Sequence, residues 1–236
     1  MFSDTPELYD QIYCAFKDYR GEAAKVAALL RDVAPTARSV LDVGCGTGTH
    51  IQHLRREHGY LADGLDIEPG FIEIARRKVP EARFWQGDMS AFEIPVEFDV
   101  VVCLFSSIGY LREVERLEAA LVRFHAHLKR GGMVVVEPWF TPGQWHPGRV
   151  FVHSGEDGPK RVVRMSHSGV QGAVSELEFH YLIGDGQGIE HRVERHELGL
   201  FTQEETLTAL SKSGFLDVHF DPEGLSGRGL YVGKAG

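Results

Sequence analysis

The chain has 236 residues, 43% hydrophobic and 25% charged, enough to bury one sizeable core without division into independent domains. Its formal charge of −9, from 34 acidic against 25 basic residues, excludes a basic groove for nucleic acid. Cys14, Cys45 and Cys103 form no disulfide framework and no metal spacing, no apolar run reaches membrane-span length, and Met1-Phe2-Ser3-Asp4-Thr5-Pro6 lacks the parts of a secretion signal, so no metal, no membrane and a reducing cytoplasm are expected.

In chain order, residues 22–33 carry Val26, Leu29, Leu30 and Val33 at helical spacing, and Pro35 ends the helix. The run Ser39-Val40-Leu41-Asp42-Val43-Gly44-Cys45-Gly46-Thr47-Gly48-Thr49-His50 then reads as an apolar strand, a glycine turn and a helix start. Leu61-Ala62-Asp63-Gly64-Leu65-Asp66-Ile67 is a second strand ending in Asp66, followed by a helix over Pro69–Lys78 with proline in its first turn. Phe84-Trp85-Gln86-Gly87-Asp88-Met89 is a short third strand ending in Gly-Asp. Residues 98–105 form an almost continuous apolar strand, of the kind a parallel sheet buries on both faces. Val114, Leu117, Leu121, Phe124 and Leu128 make one helical stripe, stopped by Gly131-Gly132 ahead of a strand over 133–136. This alternation predicts an α/β fold with a doubly wound parallel sheet.

From residue 150 to 200 the pattern changes to short alternating stretches parted by Gly155-Glu156-Asp157-Gly158-Pro159 and Gly184-Asp185-Gly186-Gln187-Gly188, which predicts antiparallel strands. Such an insertion would lie over the strand ends as a lid, or serve as a dimer surface. The helix Gln203–Lys212, the turn Ser213-Gly214-Phe215 and strands near 218–220 and 230–232 close the chain.

The glycine turn is G-x-G-x-G, not the dinucleotide fingerprint G-x-G-x-x-G, and Asp42 stands two residues before it. A pyrophosphate beside that carboxylate, at ~4 Å and an effective dielectric of ~20, would be repelled by roughly 4 kcal/mol. A cation is favoured instead. S-adenosylmethionine carries a sulfonium and an ammonium but no phosphate, and its carboxylate can take the free amides of the turn and helix start. Asp66 is placed to accept the ribose hydroxyls, and Asp88 to meet the adenine amino group.

On these three strand ends the chain resembles the class I S-adenosylmethionine-dependent methyltransferases. Glu7-Leu8-Tyr9-Asp10, Lys17-Asp18-Tyr19, Leu104-Phe105-Ser106-Ser107-Ile108-Gly109-Tyr110-Leu111, Val134-Val135-Val136-Glu137-Pro138-Trp139, Arg164-Met165-Ser166-His167-Ser168, Leu200-Phe201-Thr202 and Ser226-Gly227-Arg228-Gly229-Leu230 extend the resemblance over nearly the whole chain. They are similar to the N,N-dimethyltransferases that finish nucleotide-linked aminosugars such as desosamine and mycaminose. The resemblance implies a mostly parallel seven-stranded sheet with an inserted antiparallel β lid. It divides the chain into an N-terminal helical cap over the cofactor (1–35), a core (36–140 and 200–236) and the insertion (141–199). It implies S-adenosyl-L-methionine as donor, S-adenosyl-L-homocysteine as product, and the amine of a nucleotide-linked deoxy-aminosugar from antibiotic biosynthesis as acceptor.

The resemblance assigns the cofactor to Tyr9, Tyr19, Asp42, Gly44, Cys45, Gly46, Gly48, Asp66, Ile67, Phe71, Asp88, Met89, Leu104 and Ser106. Gly44 stands where those sugar enzymes often have alanine, Asp66 where they have glutamate, and Phe2 where a tyrosine commonly reaches the sugar. Methyl transfer from a sulfonium is an in-line displacement, so the enzyme must hold a nucleophile about 3 to 3.5 Å from that carbon and exclude water. An amine needs only an outlet for its proton, whereas a hydroxyl would need a base close by. Tyr110, Glu137 and His167 are the candidate catalytic residues, with His146, His153 and His180 as further histidines in or near the lid. Phe2, Ser107, Trp139 and Arg228 are the candidate substrate contacts, Arg228 for a diphosphate. A methyltransferase of another small metabolite's oxygen or nitrogen, a nicotinamide-dependent reductase and a non-catalytic cofactor sensor remain the alternatives.

Overall fold

The computed structural model describes residues 6–236. Two short helices come first, α1 (Pro6–Tyr13) and α2 (Tyr19–Val33). Asp18 caps α2 by accepting the Gly21 amide, which fixes the corner between them. Strands β1 (Ser39–Val43), β2 (Leu61–Asp66), β3 (Phe84–Gln86), β4 (Phe98–Cys103) and β5 (Leu128–Val136) then alternate with helices α3 (Thr49–His58), α4 (Pro69–Lys78) and α5 (Val114–Ala126). A lid of β6 (Val150–Asp157), β7 (Lys160–Gln171), β8 (Val174–Asp185) and β9 (Gly188–Gly199) follows, and α6 (Gln203–Lys212), β10 (Phe215–Asp221) and β11 (Leu230–Ala235) complete the chain. No helix of the described residues is long and apolar enough to cross a membrane.

The main sheet has the order β10-β11-β5-β4-β1-β2-β3, with β1 to β5 parallel and β11 antiparallel to both its neighbours, so that β10 runs in the same direction as β1 to β5. Side chains alternate across a pleat, so Val40, Val100 and Val102 face one side while Leu41, Val43 and Val101 face the other. The first face packs on α2, α3 and α4 through residues such as Val26, Leu30, Leu54 and Ala75, and the second on α5 and α6 through Leu121, Phe124 and Leu210. Double coverage explains why these strands read as unbroken apolar runs. The chain order reverses between β1 and β4, and the carboxyl ends of strands at such a switch point leave a crevice for a ligand.

Two boundaries differ from the sequence reading. The α5 stripe ends at Ala126, and Gly131-Gly132 lies within β5 at a shift in its pairing with β4. The imidazole of His127 accepts the Ile94 amide while its carbonyl accepts the Phe98 amide, drawing the chain into the sheet before Leu128. The apolar strand β4 stops at Cys103 because Phe105 and Ser106 take left-handed φ values of 51° and 60°.

The lid is a separate antiparallel meander, β6-β7-β8-β9. Val162, Phe179, Tyr181 and Ile183 on its inner face bury Leu8 and Ile12 of α1. Helix α1 is therefore held between lid and core, although its eight residues are too short to persist as an isolated helix.

Candidate active site

A cavity of about 650 Å³ opens where the parallel strands end, between the glycine turn, α1 and the lid. Gly44 forms its floor with a φ of 75°, and a Cβ there would sit 2.6 Å from that of Ser107. Only glycine meets both demands without movement of the segment after β4. A smaller recess shares Tyr9, Gly44, Gly46, Phe105 and Ser107 with the cavity and adds Tyr19, Asp42, Cys45 and Leu104.

The carboxylates at the strand ends differ in what they hold. Asp42 is 1% exposed, and its Oδ2 is buried without a partner. Burial, reinforced by the charge of Asp66, lifts its pKa to about 6. An orphaned, water-excluded carboxylate in the recess is completed by a cation. Asp66 Oδ2 accepts the Gly46 amide at 2.8 Å and Oδ1 the Glu68 amide at 2.9 Å, so it braces the glycine turn while lining the cavity. Burial raises it to about 6 in spite of those amides. Asp88 also lines the cavity, but its Oδ1 accepts the Ser90 amide and hydroxyl and its Oδ2 takes Arg116 at 2.6 Å.

Ile67, Phe71 and Met89 line the same end, and Tyr9 meets the edge of Phe71 at 4.9 Å between ring centroids. Tyr19 stands in the recess beside His50, with its ring 4.9 Å away. Gly48 and Ser106 line neither space. Gly48 is the left-handed residue that opens α3, and the Ser106 hydroxyl is given to the Pro138 carbonyl at 2.6 Å. Phe2 falls outside the described residues.

On the acceptor side, Tyr110, Ser107, Trp139 and Arg228 all line the cavity. Trp139 donates its indole N–H to Ser175 at 2.8 Å, which pins the end of the core to the lid. Glu137 and His167 correct the catalytic set. Glu137 is 0% exposed, and its carboxylate already accepts the Phe105 amide, the Ser226 hydroxyl and Arg228 at 3.1 Å, so it positions neighbours instead of reaching substrate. His167 points outward, because Arg164 and Ser166 of the same strand face the cavity and a strand alternates sides at every residue.

Sequence reasoning missed His196 and Arg164. His196 lies on the inward register of β9, 1% exposed, with Nδ1 2.9 Å from the Tyr110 hydroxyl oxygen. Burial pushes the Tyr110 phenol up and the His196 imidazole down, so both are neutral, and Glu194 stands 3.6 Å from the far ring nitrogen. Nothing in an alternating strand marks one histidine as inward until the register with its neighbours is known.

Comparison with known proteins fits this geometry. Residues 40–132 match the family model described as a methyltransferase domain. Over 232 residues the chain is 45% identical to the dTDP-3-amino-3,6-dideoxy-alpha-D-glucopyranose N,N-dimethyltransferase of Streptomyces fradiae, covering 98% of this chain and 90% of the relative. The chain belongs to the class I S-adenosylmethionine-dependent methyltransferases, among the aminosugar N,N-dimethyltransferases. The crystal structure of Streptomyces venezuelae DesVI superposes on it with a TM-score of 0.92 at 40% identity over 99% of both chains. CalS10, an amino pentose methyltransferase from Micromonospora echinaspora solved with its methyl donor bound, superposes at 0.84 and 35% identity, covering 94% of this chain and 93% of its own. The methyltransferase thus has S-adenosyl-L-methionine as its cofactor, and the orphaned Asp42, the glycine floor and the braced turn are features that fit it.

Proposed function

We propose that this methyltransferase N,N-dimethylates the amine of a nucleotide-linked deoxy-aminosugar. One observation carries the reading: a single cavity joins the donor-side carboxylates Asp66 and Asp88 to Arg164 and to Tyr110, whose hydroxyl is 2.9 Å from His196, in a chain similar to aminosugar N,N-dimethyltransferases over nearly its full length. When bound, the cofactor supplies an electrophilic methyl group and leaves as S-adenosyl-L-homocysteine. Asp42 would meet its positive charge, Asp66 its ribose, and Ile67, Phe71 and Met89 its adenine; the amides of Gly44, Cys45, Gly46 and Gly48, expected from the sequence to be free for its carboxylate, are instead given to Leu65, Asp66 and Cys45.

The remaining work falls to the acceptor side. Tyr110 accepts the proton of the sugar ammonium on its oxygen while its own O–H proton passes to Nδ1 of His196. The amine is left neutral and nucleophilic, and the proton resides on the imidazole. Glu194 then stabilises the imidazolium. No strong base is required for an amine, which suits a neutral phenol–imidazole pair better than it suits a hydroxyl acceptor. Trp139, Phe140 and the lid exclude water.

Purified protein incubated with S-adenosyl-L-methionine and dTDP-linked amino-hexoses should yield two successive gains of one methyl group by mass spectrometry. Failure with these acceptors alongside methylation of another amine or hydroxyl would overturn the substrate class.

We further propose a homodimer through the outer face of the lid. Val150, Val152, Val163, Met165, Leu182 and Val193 are exposed there, on a face where a solvated antiparallel sheet carries polar residues. The inner face is already covered by α1. The outer one carries both signs of charge at its rim, Arg161 with Glu156 and Arg195 with Glu178, so a two-fold contact can match each sign with its opposite. All three cysteines are free, which supports a reducing cytoplasm for this small-molecule enzyme.

A further inference from the structure

Five arginines line the cavity, and four of them are neutralised by carboxylates of the protein: Arg112 by Glu197, Arg116 by Asp88, Arg195 by Glu178 and Arg228 by Glu137. Arg164 is the exception among the described residues. It is 4% exposed and has no carboxylate partner; its Nε and Nη1 are buried without partners, and the rest of the guanidinium meets only neutral groups, Nδ1 of His153 at 3.4 Å from Nη2 and the side chains of Tyr13 and Tyr181. We infer that Arg164 binds the diphosphate of the acceptor, a role that sequence reasoning gave to Arg228.

A buried guanidinium without a counter-ion is costly, so its site is complete only when an anion enters. The surroundings of Arg164 are built for that entry. The guanidinium carbon lies over two aromatic rings, 4.9 Å from the centre of Tyr13 and 4.5 Å from that of Phe179. These rings hold the fork in place, and Nε and Nη1 are the donors left for oxygens of a ligand. Ser166, two residues along on the same inward register, adds a hydroxyl to the wall. His153 stays neutral, because burial and the charge of Arg164 depress its pKa, and so brings no competing charge.

The cofactor is proposed to sit at the other end, where Asp42 lines the recess to meet its positive charge, and Arg164 lines the cavity but not the recess. Arg164 also sits on the lid, the acceptor side, and a planar fork of donors matches the paired oxygens of a diphosphate. In Arg228 the charge is matched by Glu137, which is wholly buried and would lose its ion-pair partner if Arg228 turned to a ligand.

This assignment rests on the nucleotide-linked acceptor proposed above, and calorimetry separates the two. The full chain, saturated with S-adenosyl-L-homocysteine, is titrated with dTDP and with thymidine. Arg164→Gln should weaken dTDP by about tenfold or more while thymidine stays within about twofold, and Arg164→Lys, which keeps charge but loses the fork, should fall between. An unchanged ratio of the two affinities in Arg164→Gln overturns the assignment. If Arg164→Gln no longer binds S-adenosyl-L-homocysteine, Arg164→Lys decides, and dTDP affinity equal to wild type overturns it. Wild-type protein that binds S-adenosyl-L-homocysteine but not dTDP overturns the nucleotide-linked acceptor as well as the role of Arg164.

Discussion

Asp42, in the recess, and Asp66, on the cavity wall, are both buried, and burial lifts both carboxyls to about 6 instead of near 4. A raised carboxyl pKa means that the empty fold prefers the protonated form, so the stability this gives is present below about pH 4 and lost as pH rises through 6. Binding of a cationic donor has the opposite sign, because it requires the charged carboxylate. Affinity for S-adenosyl-L-methionine should therefore climb from pH 5 to 7, by up to about tenfold per unit for each proton released. Asp42→Asn should flatten the climb, measured by calorimetry at several pH values, and an unaltered slope would exclude Asp42 from the charge match. These two acids were legible in the sequence because each ends an apolar strand, and a strand end in an alternating α/β pattern has one place to be. His196 and Arg164 were not, because in the lid a shift of one residue exchanges inside for outside, as the exchange of His167 for Ser166 illustrates.

At the scale of elements, α1 is tied to the donor site by polar contacts. Asp10 accepts from Lys78 at the end of α4, at 2.6 Å, and from Thr47 of the glycine turn, while Lys78 also donates to Thr49. The next corner is held by Glu22, which accepts Lys17 and contacts His50 at 2.9 Å; these partners outweigh burial and hold its carboxyl at about 2. The stability Glu22 confers is thus complete above about pH 4.5 and is lost only as pH falls toward 2. Asp10→Ala should let the cap open more readily and speed release of S-adenosyl-L-methionine by about fivefold, since a partly exposed pair is worth ~1 kcal/mol. Stopped-flow displacement checks this, and an unchanged release rate would show that Asp10 does not hold the cap. Most helices and strands were readable from their periods, because burial on one stripe or on both faces imposes 3.6-residue spacing or a continuous apolar run. Two features were not. The pair Gly131-Gly132 resembles a helix stop but sits in a strand irregularity, and α1 depends on Leu8 and Ile12 finding the lid, a contact more than 140 residues away in sequence.

For the molecule as a whole, the apolar outer face of the lid predicts a particular behaviour in solution. Light scattering should give the mass of two chains for the wild type and of one chain for Met165→Asp, with donor binding retained, because Met165 is 51% exposed and contributes little to the core. A wild type that stays monomeric at micromolar concentration would dismiss the dimer. The main sheet and the lid share no strand pairing, so residues 141–199 could be exchanged between related enzymes without cutting a ladder of the donor-binding sheet. Such a chimaera would nevertheless fail if assembled from that segment alone. Pro6–Tyr13 is a gasket common to both compartments, greased on one side by Leu8 and Ile12 and bolted on the other by Asp10. Engineers who graft a foreign roof must transplant this short helix with it, or new sugar tolerance will arrive together with a leaking methyl-donor chamber.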